Sequence, residues 1–420
     1  MTASLASEHA APAAESAPMS FSGRGGEFLR LLVTGSLFQI PTFGFYRFWL
    51  ITKLRRHLWS NTQVAGESFE YVGSAKELLI GFLIALAVLT PIYLGYSILG
   101  LILEGQQALA SLPLVIILYV LVHFGVYRAR RYRASRTVFR GVRFWMTGRG
   151  WAYAFRAILW DFATVLTLGL ALPWAYASLE RYRMRHTYYG NVQGDFVGTG
   201  WTLFKRGIWV WALGLALIVG VSTIFALMPK QDAETTSLRG GLIPFSIVLV
   251  FLALWPIAMA IFSRWQLEGI RFGEAAVSSN LRVGAFYGIF LKMIFSSVAF
   301  VLCFGLVVGL AGYAFRGLFL PMLGSFNAVL TQGDAGGSGL GADLANAGIV
   351  IAVTMLVYLS LLLGLGVIQR YFMGRGLWAV IVGSLSVSNL ETLDTAIAAG
   401  RPAGVLGEGL ADALDFNVGI

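Results

Sequence analysis

Ser60-Asn61-Thr62-Gln63-Val64-Ala65-Gly66-Glu67-Ser68-Phe69-Glu70-Tyr71 is the stretch on which the architecture turns. Its core is an apolar residue, any residue, a glycine, and a phenylalanine two or three positions on. The pattern returns at Phe139-Arg140-Gly141-Val142-Arg143-Phe144, Val192-Gln193-Gly194-Asp195-Phe196 and Leu267-Glu268-Gly269-Ile270-Arg271-Phe272. The pairs Gly66/Gly194 and Gly141/Gly269 share an offset of 128 residues. Alternation about a turn-prone glycine reads as a small loop or β-hairpin. Trp59, Trp145 and Trp265 nearby suit a membrane interface.

Outward from these motifs the chain is apolar. Hydrophobic residues make up 57% of the 420 and charged ones 12%, against about 25% charged in ordinary soluble domains, and mean hydropathy is +0.73. So few charges cannot clothe a water-soluble surface, which excludes a soluble enzyme, a nucleic-acid binder and a disulfide-stapled secreted domain. The net charge of +10 belongs in loops that face anionic headgroups. Cys303 is the single cysteine, and the four histidines have no metal-ligand spacing, so neither a disulfide nor a metal or other cofactor is expected.

A bilayer-crossing helix needs about 20 mainly apolar residues. Eight segments reach that length: 29–51, 78–103, 108–127, 154–178, 207–228, 241–263, 286–311 and 348–368. Two are odd. Segment 29–51 holds Arg30, Pro41, Gly44 and Arg47, and segment 154–178 holds Arg156, Asp161, Gly169 and Pro173. Pro and Gly midway break or reverse a helix. If both segments enter and leave on one face, the cytoplasmic loops carry 24 Lys and Arg against 3 outside, as the positive-inside rule asks. The expected fold is therefore an all-α polytopic membrane protein. It has six full transmembrane helices plus two re-entrant or interfacial helical hairpins, Gly-centred cytoplasmic loops or β-hairpins, and both termini cytoplasmic. Eight plain spans with one basic loop outside is the alternative.

The two odd segments read as copies. Gly23-Arg24-Gly25-Gly26 returns as Gly148-Arg149-Gly150-Trp151, and Phe48-Trp49 as Pro173-Trp174, at an offset of 125. Together with the 128 offset, this divides the chain into a disordered tail (1–20), two membrane repeats in parallel orientation (21–147 and 148–273), a degenerate two-span repeat (274–372) and a cytoplasmic tail (373–420).

The run Gly44-Phe45-Tyr46-Arg47-Phe48-Trp49, the basic arm behind it, the stretch 60–71 and the Gly-x-Arg-Phe loops at 141–144 and 269–272 resemble the YjgN-like family of bacterial inner-membrane proteins. The likeness covers most of residues 21–375 and implies the bacterial inner (plasma) membrane as the location. The family is a domain of unknown function, so the resemblance implies no reaction. The glycine-rich loop around 333–341 and the mildly acidic tail after 390 depart from its pattern.

Few residues carry chemistry. Asp161 is the one carboxylate well inside an apolar segment, and intramembrane ionisable groups mark functional paths. With Arg156 and His123 it makes a candidate polar path; the plainer reading is a hydrated Asp161–Arg156 pair at an interface. Candidate contacts for anionic lipid or a partner are Arg55, Arg56, Arg130, Arg131, Arg133, Arg181, Arg183 and Arg185. No nucleophile–base or paired-carboxylate pattern shares a face, so no enzyme is expected. The expected function is a small-solute transporter or channel-like protein, from the repeats and the Gly/Pro-broken segments. The alternative is a non-catalytic, membrane-organising or lipid-interacting protein whose basic loops meet anionic lipid.

Overall fold

The computed structural model describes residues 16–102, 107–227, 233–332, 340–400 and 403. Short strands alternate with helical hairpins. β1 (Ser16–Phe21) leads into α1 (Gly25–Gln39) and α2 (Arg47–Ser60), and the chain returns as β2 (Thr62–Val64). The second unit is β3 (Glu67–Tyr71), α3 (Ala75–Ile102), α4 (Gln107–Ser135) and β4 (Thr137–Phe139). The third is β5 (Val142–Met146), α5 (Gly150–Leu166), α6 (Leu172–Arg185) and β6 (Thr187–Tyr189). The fourth is β7 (Val192–Phe196), α7 (Gly200–Leu227), α8 (Ala233–Glu268) and β8 (Ile270–Phe272). In the fifth, β9 (Ala275–Ser279) precedes α9 (Val283–Ala314), α10 (Arg316–Gln332) and α11 (Leu340–Gln369). A π-helical stretch (Arg370–Gly376), α12 (Leu377–Gly383) and β10 (Leu385–Ser388) complete it.

The ten strands close into one antiparallel barrel, in the order β1-β10-β9-β8-β7-β6-β5-β4-β3-β2 and back to β1. This overturns the all-α expectation: the Gly-centred loops are not separate hairpins but links in a ring. The two strands that complete the ring come from segments expected to be tails, β1 from 1–20 and β10 from 373–420. They pair with each other, Ser16 opposite Ser388 and Ala17 opposite Val387. Closure leaves no sheet edge open for pairing with another chain.

The turns explain part of the glycine pattern. Ala65-Gly66 has φ of +50° and +84°, and Arg140-Gly141 of +48° and +74°, the two left-handed residues of a type I′ turn, whose twist matches its strands. Gly194 and Gly269 have other places: Gly194 lies inside β7 and Gly269 just before β8, while the turns there are Gly190-Asn191 and Gly273-Glu274. The 128 offset therefore pairs residues that are not structurally equivalent. The 125 offset does carry into the structure. Phe43-Gly44 and Leu168-Gly169 take positive φ at the tips of the first and third helical hairpins. Gly44 N–H donates to Gln39 O at 2.8 Å and Gly169 N–H to Thr164 O at 2.7 Å, while the Thr42 and Thr167 hydroxyls each accept a tip N–H.

Five strand-and-helix modules are built alike. One backbone bond closes each neck: Ser22 N–H to Asn61 O, Val72 to Arg136, Thr147 to His186, Val197 to Gly269 and Asn280 to Ser384, all at 2.8–3.0 Å. Every hairpin leaves the barrel and returns to it, so all five project from one end. Six helices among the described residues are long and apolar enough to cross a membrane: α3, α4, α7, α8, α9, and α11 continued through α12. α1, α2, α5 and α6 have 14–17 residues, about 21–26 Å at 1.5 Å per residue, against a hydrocarbon core of about 30 Å. Segments 29–51 and 154–178 each reverse inside themselves. The run 333–339 lies outside the described residues.

Apolar side chains fill the barrel. Val64, Phe139, Tyr189, Ala275 and Val387 are buried inside it, with Met19, Phe69, Phe144 and Phe272 packed against them. Beyond β10, a 3₁₀ turn (Leu390–Leu393) adds Leu390 and Leu393 to that cluster at the end away from the helices. Arg140, at the β4–β5 turn, pairs with Glu67 at 2.7 Å and also with Asp394, and Ile397 N–H donates to Asn191 Oδ1 at 2.8 Å. These bonds tie the segment after β10 to the hairpin turns.

Candidate functional site

Asp161, His123 and Arg156 form one path in the sequence reading; the structure joins the first two and turns the third away. Tyr119 Oη on α4 donates to Asp161 Oδ2 on α5 at 2.6 Å, and His123 Nε2 lies 3.0 Å from the same oxygen. His123 Nε2 does not meet that oxygen in hydrogen-bond geometry, and the directed hydrogen bond comes from the tyrosine. Tyr119 and His123 are four residues apart on one helix face, their rings edge to face at 4.9 Å. Arg156 sits five residues before Asp161, about 140° around the helix at 100° per residue. Its guanidinium lies over the Tyr182 ring at 4.7 Å, so the expected Asp161–Arg156 pair does not form. Tyr119 is invisible to sequence reading, because one tyrosine in an apolar run carries no signal.

The eight candidate arginines divide by burial. Arg55 is 4% exposed and donates to Tyr71 Oη at 3.2 Å. Arg130 and Arg183 converge on Glu180 Oε1 and Oε2 at 2.9 and 2.6 Å, and Glu180 is 1% exposed. Burial pushes the Glu180 carboxyl upward, but the Arg130 and Arg183 charges outweigh it and hold the group below the usual carboxylate value. The Arg183 guanidinium, lowered by burial and raised by Glu180, ends above its ordinary value. These three arginines are engaged by partners inside the protein. Arg131 and Arg133 are half-buried. Arg56 donates to Gly73 O at 3.0 Å and Arg181 to Gly198 O at 3.1 Å, one neck contact at the 125 spacing. Arg185 pairs with Asp195 at 3.0 Å. Burial raises the Asp195 carboxyl, yet bonds from Arg185 and the Phe196 backbone bring it below its ordinary value.

Arg181 and Arg185, with Arg156 and His186, line an open cavity of about 800 Å³ between α5, α6 and the start of α7. Its aromatic wall is Trp160, Trp174 and Trp201. The cations of α6 lie at the barrel end; Trp174, eleven residues before Arg185, lies about 16 Å nearer the hairpin tip. A second basic cavity of about 500 Å³, lined by Lys205, Arg206, Arg264 and Trp209, opens between α7, α8 and the start of α9. Glu268 takes Arg206 and Arg264 there at 2.8 and 2.7 Å. An apolar cavity of about 580 Å³ runs between α6, α7 and α8, with Tyr176, Phe204, Trp211 and Phe251 in its wall. Among the described residues no group of three His, Cys, Asp or Glu is placed to hold a metal ion.

Long apolar helices hung from a closed barrel, with cations at their barrel ends, define an integral membrane protein. The chain belongs to the family described as bacterial protein of unknown function (DUF898), whose model matches residues 16–251 and 230–400. It is 29% identical over 143 residues to inner membrane protein YjgN of Escherichia coli strain K12, covering 33% of this chain and 34% of that one. It is 27% identical over 142 residues to inner membrane protein YjgN of Salmonella typhimurium, covering 32% and 33%. The match spans about a third of the length of these curated relatives. No solved structure matches.

Proposed function

We propose that the protein engages anionic phospholipid at the barrel end of its helices in a non-catalytic, membrane-organising role, rather than conducting a solute along the barrel axis. The observation that carries this reading is the pair of basic cavities beside apolar spans. Cations near a membrane surface attract anionic lipid at about 1 kcal/mol each. Two features weigh against an axial path: the apolar filling of the barrel and the closed Arg130–Glu180–Arg183 cluster. Analysis of the lipid that stays with the protein on detergent-free extraction tests the reading. Anionic phospholipid is expected to be enriched several-fold over the bulk membrane, and bulk composition around the protein would sink the idea.

The charge asymmetry of 24 Lys and Arg against 3 supports a cytoplasmic barrel. In a Cys303-free background, a cysteine at exposed Gln193 on β7 is expected to escape a membrane-impermeant maleimide in spheroplasts and react after lysis. A cysteine at exposed Leu318 on α10 is expected to react before lysis. Labelling of position 193 from outside would reverse the orientation.

A further inference from the structure

We propose that the cavity between α5, α6 and α7 is a specific site for one phospholipid with an anionic phosphate headgroup, an assignment that rests on the lipid reading above. The first argument is charge. Arg156 has no ion pair among the described residues, only the face of Tyr182. Arg181 is held by two backbone carbonyls, Phe196 O at 3.4 Å and Gly198 O at 3.1 Å, which fix its position without neutralising it. Asp195 pairs with Arg185 and also acts on Arg181 at longer range, one carboxylate against two guanidiniums. The cavity therefore carries uncompensated guanidinium charge, and the planar donors of arginine match phosphate oxygens two at a time.

The second argument is that the fold does not require these residues. The first helical hairpin has the same tip and neck, so the 125 spacing supplies a comparison within the molecule. There Leu31, Gly35, Ser60, Asn61 and Lys76 stand where the third hairpin has Arg156, Trp160, Arg185, His186 and Trp201. Gly35 is packed so closely on Leu50 that a Cβ would collide with it, which draws α1 onto α2. The third hairpin has Trp160 and Ala175 at the matching positions, and the space opens. The neck arginine, Arg56 or Arg181, and one tryptophan, Trp49 or Trp174, are common to both. The other cations and tryptophans that line the cavity are peculiar to the third hairpin.

The third argument selects lipid over a soluble anion. Trp174 in the cavity wall lies 5.2 Å from Phe204, and Phe204 lines the apolar cavity of about 580 Å³. A phosphate held by Arg156, Arg181 and Arg185 would set the glycerol against the tryptophans, whose amphipathic rings favour that depth. An acyl chain would then continue along the apolar wall. A free phosphate would use the charges and leave the rest idle.

The test is titration of brominated phosphatidylglycerol into the full-length protein in phosphatidylcholine nanodiscs, read by tryptophan quenching. Saturable quenching is expected. Arg156→Gln should weaken half-saturation about tenfold, the loss of one charge-assisted contact. Arg156→Lys should recover most of it, and Arg24→Gln, the same charge change at the barrel end of the first hairpin, should leave it unchanged. Glycerophosphate should not displace the lipid. Unchanged quenching in Arg156→Gln, with anionic lipid still enriched around the protein, would overturn the site and leave the lipid reading standing. No enrichment around the wild type would overturn both. Displacement by millimolar glycerophosphate would make this a soluble-anion site and overturn the proposal.

Discussion

Glu180→Gln is expected to cost about 3–5 kcal/mol of stability, the usual cost of breaking a buried ion pair by removing one partner. The substitution keeps the shape and the hydrogen-bonding reach but removes the charge. Two guanidiniums, 2.9 and 2.6 Å from that carboxylate, are then left in a pocket where Glu180 itself is 1% exposed. Replacing the whole cluster, with Arg130→Met, Glu180→Leu and Arg183→Met together, should recover most of the loss, because well-packed apolar groups need no counter-charge. Thermal unfolding in nanodiscs reads both. Acid gives an independent check. The Glu180 carboxyl is depressed in the fold, so its stabilisation is present above its unfolded pKa of about 4.3 and lost as pH falls through the lower, folded value. Wild type should therefore lose more stability than the triple variant on going from neutral pH to below about pH 4. An unchanged melting temperature for Glu180→Gln would remove this cluster from the forces that hold the helices under the barrel.

The sequence shows its helices more plainly than its sheet, for a physical reason. Runs of about 20 apolar residues carry enough signal to be read one at a time, and Pro41, Gly44, Gly169 and Pro173 mark the two reversals. Strands β2, β4, β6 and β8 have three residues each, too few for an alternation to mean anything. β1 pairs with β2 and with β10, far apart in the chain, and its Ser-Ala-Pro-Met-Ser-Phe composition resembles a tail. β10 alternates as Leu385-Ser386-Val387-Ser388, but it follows the last span and so reads as a tail as well. One cue was available. Phe21-Ser22-Gly23, Tyr71-Val72-Gly73 and Phe196-Val197-Gly198 share a form, and a Cβ on those glycines would sit 2.5–2.6 Å from the preceding aromatic ring. Met146-Thr147-Gly148 holds the same position without the ring. These four mark the outgoing necks of four modules and give the period that the 128 offset missed. For the site, Glu180 and Arg183 look from sequence like an ordinary exposed pair at i and i+3. Only the packing of α4 against α6 turns the pair into a buried cluster and separates it from the open cavity two residues away on α6.

Val387→Asp is expected to prevent accumulation of the folded protein, whereas Ser386→Asp on the other face of the same strand should cost no more than about 1 kcal/mol. Val387 is 8% exposed, faces the barrel interior with Val64, Phe139 and Tyr189, and stands opposite Ala17 on β1 and Val277 on β9. A carboxylate there has no partner in that apolar cluster, and burying an unpaired charge costs far more than one side chain can return. Val387→Ala calibrates the site: it removes two methyl groups and should cost about 2 kcal/mol. The larger effect of Asp comes from closure. β10 is the strand that joins β9 to β1; without it the ring opens into a sheet with two unpaired edges. The neck bond from Asn280 to Ser384 that seats the fifth helical hairpin would go with it. Fluorescence-detected size exclusion of detergent-solubilised variants separates the cases. If residues 385–388 were a loose tail, the two Asp variants would elute alike and at wild-type yield. A large gap between them is the result that a closed barrel demands, because only a closed barrel gives that strand an inside and an outside.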